Sequence, residues 1–268
     1  MNRRNFLNTS GIAVAGLFAG SCNGLFDKYI EEHKKAELEK ARQFTRVALN
    51  NIISLSTVME YIRDDMGMVG ATVNIHGMRV SDYIITVNHG VSPPLFYMVN
   101  IPPAPEIVPA EVNKIGEITM INDKTLEEIF KDTDRDIAIF KLPKNYEKQK
   151  TKLEIGDSDK LDLYDEVYLI SDPLDKIFVP RKERIGSDGD ISVKENGSVR
   201  WTHDGYMKGR VISSIVIPGE SGSPVLNKNG ELVGIISHSF LNYSFFKPIN
   251  WYKEEIKKYE ASLKANNQ

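Results

Sequence analysis

Three short stretches of this chain carry side chains able to cooperate in nucleophilic chemistry. A serine sits between glycines in Pro218-Gly219-Glu220-Ser221-Gly222-Ser223-Pro224-Val225, a histidine follows the apolar run Ile84-Ile85-Thr86-Val87-Asn88-His89, and an aspartate opens another run in Asp134-Arg135-Asp136-Ile137-Ala138-Ile139-Phe140. A serine hydroxyl is a weak nucleophile at neutral pH and needs an adjacent base. An imidazole, with a pKa near ~6.5, can take that proton and later return it to a leaving amine. A carboxylate on the other ring nitrogen fixes the tautomer and stabilises the imidazolium without itself becoming protonated. Glycines on either side of the serine suit a tight turn in which backbone approaches substrate closely. His76, His203 and His238 lack the Thr-x-x-His setting of His89. Asp134 is the alternative carboxylate if the register differs, although Asp136 directly precedes the apolar run.

In the order His, Asp, Ser, these segments resemble the chymotrypsin-like serine proteases. The first is similar to that family's strand ending in Thr-Ala-Ala-His-Cys, the second to its Asp-Ile-Ala-Leu-Leu-Lys-Leu, and the third to Gly-Asp-Ser-Gly-Gly-Pro with the strand after it, here Leu232-Val233-Gly234-Ile235-Ile236-Ser237. The resemblance implies a triad of His89, Asp136 and Ser221 and an oxyanion hole made by the backbone N–H groups of Gly219 and Ser221. It also implies a primary specificity pocket walled by Ile215 and by Ser237-His238-Ser239. Ile215 offers no charge to a buried cation, so a small or medium apolar residue is expected on the acyl side of the scissile bond. His238 raises glutamyl specificity as the competing expectation. Leu153-Glu154-Ile155-Gly156-Asp157-Ser158 and Val167-Tyr168-Leu169-Ile170-Ser171-Asp172-Pro173 resemble the Deg/HtrA group in particular, with Ser171-Asp172 in place of its usual Gly-Asn. The stretch after Ser221 has room for a final strand and helix but not for a PDZ domain, so none is expected. Glu220 stands where zymogen-activated relatives carry the aspartate that binds a newly cut amino terminus, yet no basic residue followed by Ile-Val-Gly-Gly occurs. Activation by cleavage is therefore not expected. A catalytically inactive, peptide-binding version of the fold is the alternative function, since fold alone does not guarantee turnover.

These residues need strands to hold them. From residue 67 onward the chain consists of short β-prone runs, among them residues 69–75, 83–87, 137–140, 166–170, 209–212 and 232–236. Asn196-Gly197 and Asn229-Gly230 mark tight hairpins. The expected architecture is all-β, a chymotrypsin-like double six-stranded β-barrel over residues 67–247, with a helical extension before it and a C-terminal helix over residues 248–268. Residues 23–66 are expected to form the extension: Phe44, Val47, Ala48, Ile52, Leu55, Met59 and Ile62 recur at helical spacing, and the polar Glu31-Glu32-His33-Lys34-Lys35 half reads as a tether.

Residues 1–22 read as an export signal, with Arg3-Arg4 before an apolar run that ends in small residues. Arg3-Arg4-Asn5-Phe6-Leu7 resembles the twin-arginine export pattern. Ala19-Gly20-Ser21-Cys22 resembles a bacterial lipobox, implying that Cys22 is lipidated and that the mature protein is an envelope lipoprotein held at a membrane surface. The apolar run is shorter than the ~20 residues that span a bilayer.

Composition narrows the remaining classes. Hydrophobic residues make up 41% and charged residues 26% of the 268, enough apolar content for a sizeable core. A formal net charge of −3 gives no general attraction to phosphate backbones, so nucleic acid is not an expected partner. One cysteine excludes an intramolecular disulfide and cannot supply a structural zinc site. No cofactor or metal is expected, and the expected substrate is polypeptide.

Overall fold

The structure, a computed structural model, describes residues 23–63, 67–92, 112–122, 124–144, 146, 151–171, 179–188, 191–192, 206–207, 209–212, 216, 219–240 and 243–266. The export signal with Cys22, the Asn196-Gly197 turn, His203 and Ile215 lie outside the described residues. The chain divides into two compact units, residues 1–43 and residues 44–268. Everything that bears on the site belongs to the second.

Helix α1 (Asn23–Leu49) ends well before residue 66, and the expectation of a continuous helical tether over residues 23–66 is corrected here. Ile52–Arg63 forms strand β1. Its side chains follow a period of two: Ile53, Leu55 and Thr57 are buried while Ser54 is exposed. The apolar residues that fit a helical repeat fit a half-buried strand equally, and pairing on both edges decided between them. Asn51 makes the corner, its amide donating to Val47 O at 2.8 Å and to Thr151 O at 3.0 Å. Only the last turns of α1 keep the expected apolar stripe, with Phe44 and Ala48 buried. The Phe44 ring meets Tyr168 edge-on at 5.2 Å.

The first half of the body contains β1, β2 (Gly67–Val80), β3 (Tyr83–Thr86), the single turn α2 (Asn88–Val91), β4 (Val112–Ile121), β5 (Lys124–Thr125), β6 (Glu127–Asp132) and β7 (Ile137–Lys141). Its strands form an antiparallel seven-stranded sheet in the order β5-β4-β1-β2-β3-β7-β6. Leu126 alone separates the two edge strands in the chain, so the sheet must curl until its edges adjoin. The Leu126 N–H donates to Thr119 O at 2.9 Å. Thr57 and Thr119 face each other across β1 and β4, hydroxyl to hydroxyl at 3.1 Å, and satisfy each other inside an otherwise apolar core.

The second half contains β8 (Glu166–Ser171), β9 (Val179–Asp188), β10 (Ile191–Ser192), β11 (Tyr206–Met207), β12 (Arg210–Ile212), β13 (Pro224–Asn227), β14 (Leu232–Phe240) and β15 (Tyr243–Pro248). Six of these close a barrel in the order β12-β15-β14-β13-β8-β9. Closure removes unpaired edges and leaves a core that includes Val167, Leu169, Val225, Val233, Ile236 and Phe246. Asn229-Gly230 turns the β13–β14 hairpin, with Gly230 at φ 82°. Together the halves make the expected double-barrel fold, the first half as a seven-stranded curled sheet.

Helix α3 (Ile249–Asn266) follows Pro248 and touches both halves. The buried Tyr252 hydroxyl donates to Thr86 O at 3.0 Å, while Asn250 binds Asp157 and Ser158 at 2.7 and 3.2 Å. Leu55→Ala opens a void in the core of the first sheet and is expected to cost about 2–5 kcal/mol of unfolding free energy. Chemical denaturation checks this; a change below about 0.5 kcal/mol, typical of a surface residue, would contradict the placement of β1.

Candidate active site

Each half contributes a different part of the site. His89 lies in α2, immediately beyond β3, and is anchored by buried Thr86 and Val87. Thr86 donates its hydroxyl to His76 O at 2.7 Å. Asp136 closes the turn between β6 and β7 at φ 54°, a left-handed conformation that costs a non-glycine residue energy and so needs support. Part of that support comes from Arg135, whose Nε binds Asp132 at 2.6 Å and whose Nη2 binds Glu255 of α3 at 3.0 Å.

Asp136 accepts the backbone N–H of His89 at 2.8 Å and lies 2.9 and 3.1 Å from His89 Nδ1 through its two oxygens. On the other side of the ring, His89 Nε2 is 3.1 Å from Ser221 Oγ. The structure thus brings together His89, Asp136 and Ser221, while Asp134 is exposed. Burial pushes the Asp136 carboxyl upward. The charge and hydrogen bond of His89, together with the charge of Lys247, outweigh burial and hold it well below the usual carboxylate range. With Asp136 ionised, His89 Nδ1 is the donor in that contact, and Nε2 faces the serine.

Ser221 comes from the barrel half, in the turn before β13. Gly219 and Gly222 both have positive φ, 97° and 87°. At Gly222 an added Cβ would lie 1.7 Å from His76 O, so no side chain fits where the two halves meet. The Ser221 hydroxyl also lies 2.8 Å from Ser237 O. It has one hydrogen to give, shared between that carbonyl and His89.

Ser237, His238 and Ser239 run alongside Ser221 on β14. Ser237 donates its hydroxyl to Asp136 Oδ2, and its oxygen is 2.5 Å from His238 Nδ1. Since the single Ser237 hydrogen goes to Asp136, His238 must be the donor in that contact, leaving its Nε2 as a bare acceptor. That Nε2 is buried with no hydrogen-bond partner among the described residues. The His238 ring stacks on Phe245 at 5.0 Å. Burial first, then the positive charge of Lys247, push His238 down to about 3, against the opposing pull of Asp136. Ser239 donates to Val216 O at 2.8 Å, which ties the strand to the segment next to Ile215.

Several residues at the site escaped sequence reasoning. Ser237 was expected only as a pocket wall, yet it hydrogen-bonds Asp136 directly. Lys247 and Tyr252 are fully buried beside the site without any local motif. Glu220, flagged by its position, is buried and ion-paired with Arg181 at 2.5 Å. A buried carboxylate implies a cation, but nothing in the spacing says which one.

The family model described as "Trypsin-like peptidase domain" matches residues 70–235. A "Serine protease HtrA-like" of Staphylococcus epidermidis is 30% identical over 158 residues, covering 56% of this chain and 27% of its own length. A protein of the same description from Staphylococcus aureus is 29% identical over 158 residues, covering 56% and 20%. The chain therefore matches about a quarter of the length of these relatives. An HtrA-type protease solved with a decapeptide superposes with a TM-score of 0.53 at 15% identity, covering 79% of this chain and 64% of that one.

The unfolded chain takes up a proton at His238 near pH ~6.5, whereas the folded protein resists it down to about 3. Across that window the unfolded state binds more protons, so the His238 contribution is complete above the upper limit and is lost as pH falls. His238→Phe retains a stacking ring and is expected to flatten the fall in stability between those limits relative to wild type. Parallel pH-stability curves would refute this role.

Proposed function

Because the chain belongs to the trypsin-like peptidase family and its body is an HtrA-related serine-peptidase domain, we propose that it is an active serine endopeptidase using His89, Asp136 and Ser221. The observation that carries this reading is the placement of one imidazole between a largely enclosed carboxylate at 2.9 Å and a serine hydroxyl at 3.1 Å. His89 Nε2 takes the Ser221 proton as Oγ attacks the scissile carbonyl, and Asp136 stabilises the imidazolium that results. Negative charge on the carbonyl oxygen is met by the N–H groups of Gly219 and Ser221; a donor of this kind is worth roughly 2.7–4 kcal/mol in the transition state. His89 then delivers its proton to the leaving amine. Water, deprotonated by the same imidazole, hydrolyses the acyl-enzyme.

The substrate is polypeptide, with a small or medium apolar residue on the acyl side. His238 favours this over glutamyl specificity, because its ring is neutral, stacked on Phe245 and bonded to Ser237, and supplies no positive charge for a substrate carboxylate. Ser221→Ala and His89→Ala are each expected to abolish hydrolysis without loss of fold, and Asp136→Asn to lower kcat about 10⁴-fold. Fluorophosphonate labelling of wild type but not Ser221→Ala, with a peptide-library profile dominated by Val, Ala, Ile or Leu, supports the reading. Hydrolysis by purified Ser221→Ala, or dominant cleavage after Glu, Arg or Lys, would overturn the corresponding part.

We also propose that the enzyme is exported and held at a membrane surface of the cell envelope through lipidated Cys22. The support is the signal-like order of Arg3-Arg4, the apolar run and Ala19-Gly20-Ser21-Cys22. Two acyl chains anchor stably where one binds only marginally. Mass spectrometry of the mature amino terminus is expected to find Cys22 diacylated and first in the chain; an unmodified Cys22 behind an intact leader would refute it.

A further inference from the structure

Strand β14 carries an extra residue beside the site. Ile236 pairs with Phe246 of β15 and His238 with the adjacent Phe245, so Ser237 has no partner across this ladder and forms a bulge. Successive side chains of a regular strand point to opposite faces. A bulge interrupts that alternation and re-aims the side chains it carries. Ile236 and Phe246 enter the barrel core, whereas His238 stacks on Phe245 at 5.0 Å and meets its own chain neighbour, Ser237 Oγ, at 2.5 Å.

The buried Ser237 hydroxyl is held from two sides. Its hydrogen goes to Asp136 Oδ2, so the hydrogen in the other contact comes from His238 Nδ1. A ring proton on Nε2 instead would set two lone pairs against each other across that contact, and would put an N–H where no acceptor lies among the described residues. The bonds therefore run in one direction, from the His238 ring to the Ser237 oxygen and from the Ser237 hydroxyl to the Asp136 carboxylate. Bonds linked in this way polarise one another, and an oxygen that accepts a hydrogen bond donates its own more strongly. Burial and the charge of Lys247 on β15 keep the His238 ring neutral against the pull of Asp136, and a protonated His89 acts in the same sense as Lys247.

We infer that His238 is a positioning residue for Asp136: through the bulged Ser237 it fixes the direction and strength of the hydroxyl bond that stabilises the carboxylate, and so sets how strongly Asp136 supports His89. Without the His238 N–H, the Ser237 hydroxyl is a weaker and less firmly held donor. More of the Asp136 charge then falls on His89, the imidazolium is favoured, and the free base is lost to protonation at a higher pH.

This inference rests on the reading of His89, Asp136 and Ser221 as the working triad, and the test separates the two. Wild type, His238→Phe, His238→Asn, Ser237→Ala, the double variant Ser237→Ala/His238→Phe and Ser221→Ala are purified as full chains. The rate of Ser221 phosphorylation by a dialkyl fluorophosphate, which carries no peptide, is measured against pH beside kcat and KM for a peptide. His238→Phe keeps the stack but not the donor; it is expected to lower the neutral-pH rate about 3–10-fold and to raise the acid limb by about 0.5 pH unit. His238→Asn, which restores an N–H donor, recovers part of both. Ser237→Ala has at least the effect of His238→Phe, and the double variant stays within about 1.5-fold of Ser237→Ala because the two residues act in series. Folded His238→Phe with the wild-type rate and acid limb overturns the inference, as do effects that add in full in the double variant. An Asn variant as impaired as the Phe variant overturns the hydrogen-bond role. A changed peptide KM with unchanged fluorophosphate kinetics makes His238 a pocket wall alone and overturns it too. Should His238→Phe not fold, His238→Ala replaces it in every comparison. An inactive Ser221→Ala beside His238 variants that match wild type removes the positioning role alone, whereas hydrolysis by Ser221→Ala removes the nucleophile assignment and the inference with it.

Discussion

The site depends on keeping one carboxylate ionised away from water. Asp136 is nearly enclosed, and an isolated charge there would be neutralised by a raised pKa before it could serve any base. Instead it receives the His89 backbone N–H, the His89 ring N–H and the Ser237 hydroxyl, with the buried Lys247 adding positive charge. These donors come from both halves of the body: His89 from the curled sheet, Ser237 and Lys247 from the barrel. The ionised state of Asp136 is therefore a property of the assembled protein, and neither half alone carries the full set of donors.

The packing between the halves follows from the same requirement. Gly222 lies so close to His76 O that an added Cβ would overlap it, and the Ser221 carbonyl accepts the His76 N–H at 3.4 Å. Helix α3 spans the junction at the back, giving the first half a phenol on Thr86 O and the turn before Asp136 a carboxylate on Arg135. Burial, and then the nearby Asp136 charge, push the Tyr252 phenol well above its usual range, so it is a neutral donor at physiological pH. Thr86, two residues before the α2 turn that carries His89, is held from two directions, its hydroxyl by His76 O and its carbonyl by Tyr252.

Sequence and structure diverge where local pattern competes with tertiary pairing. The segments around His89, Asp136 and Ser221 were legible because each couples a chemical residue to a strand end, and strand ends were readable from apolar runs and turn glycines. The helix at residues 44–49 and the strand at residues 52–63 were read as one helix because Ile52, Leu55, Met59 and Ile62 satisfy a helical repeat. Only the ladders with β2 and β4 reveal the strand, and those partners are remote in the chain. Arg181 and Lys247 were illegible for a different reason. Most lysines and arginines of a globular protein are solvated, and the few that face a buried carboxylate are distinguished by three-dimensional position alone.

The hydroxyl of Ser221 gives the site its remaining ambiguity and its logic. One hydrogen is within reach of Ser237 O at 2.8 Å and His89 Nε2 at 3.1 Å, and it cannot serve both fully. A neutral hydrogen bond to a carbonyl contributes on the order of 1 kcal/mol net, small beside the barrier reduction of at least ~8 kcal/mol that enzymes achieve. The bond to Ser237 thus orients the Ser221 hydroxyl at an energy that a catalytic step of that size would readily overcome. Ser237 touches both ends of the cluster, its hydroxyl on Asp136 and its carbonyl on Ser221, so a single residue of β14 couples the orientation of the Ser221 hydroxyl to the ionisation of the carboxylate.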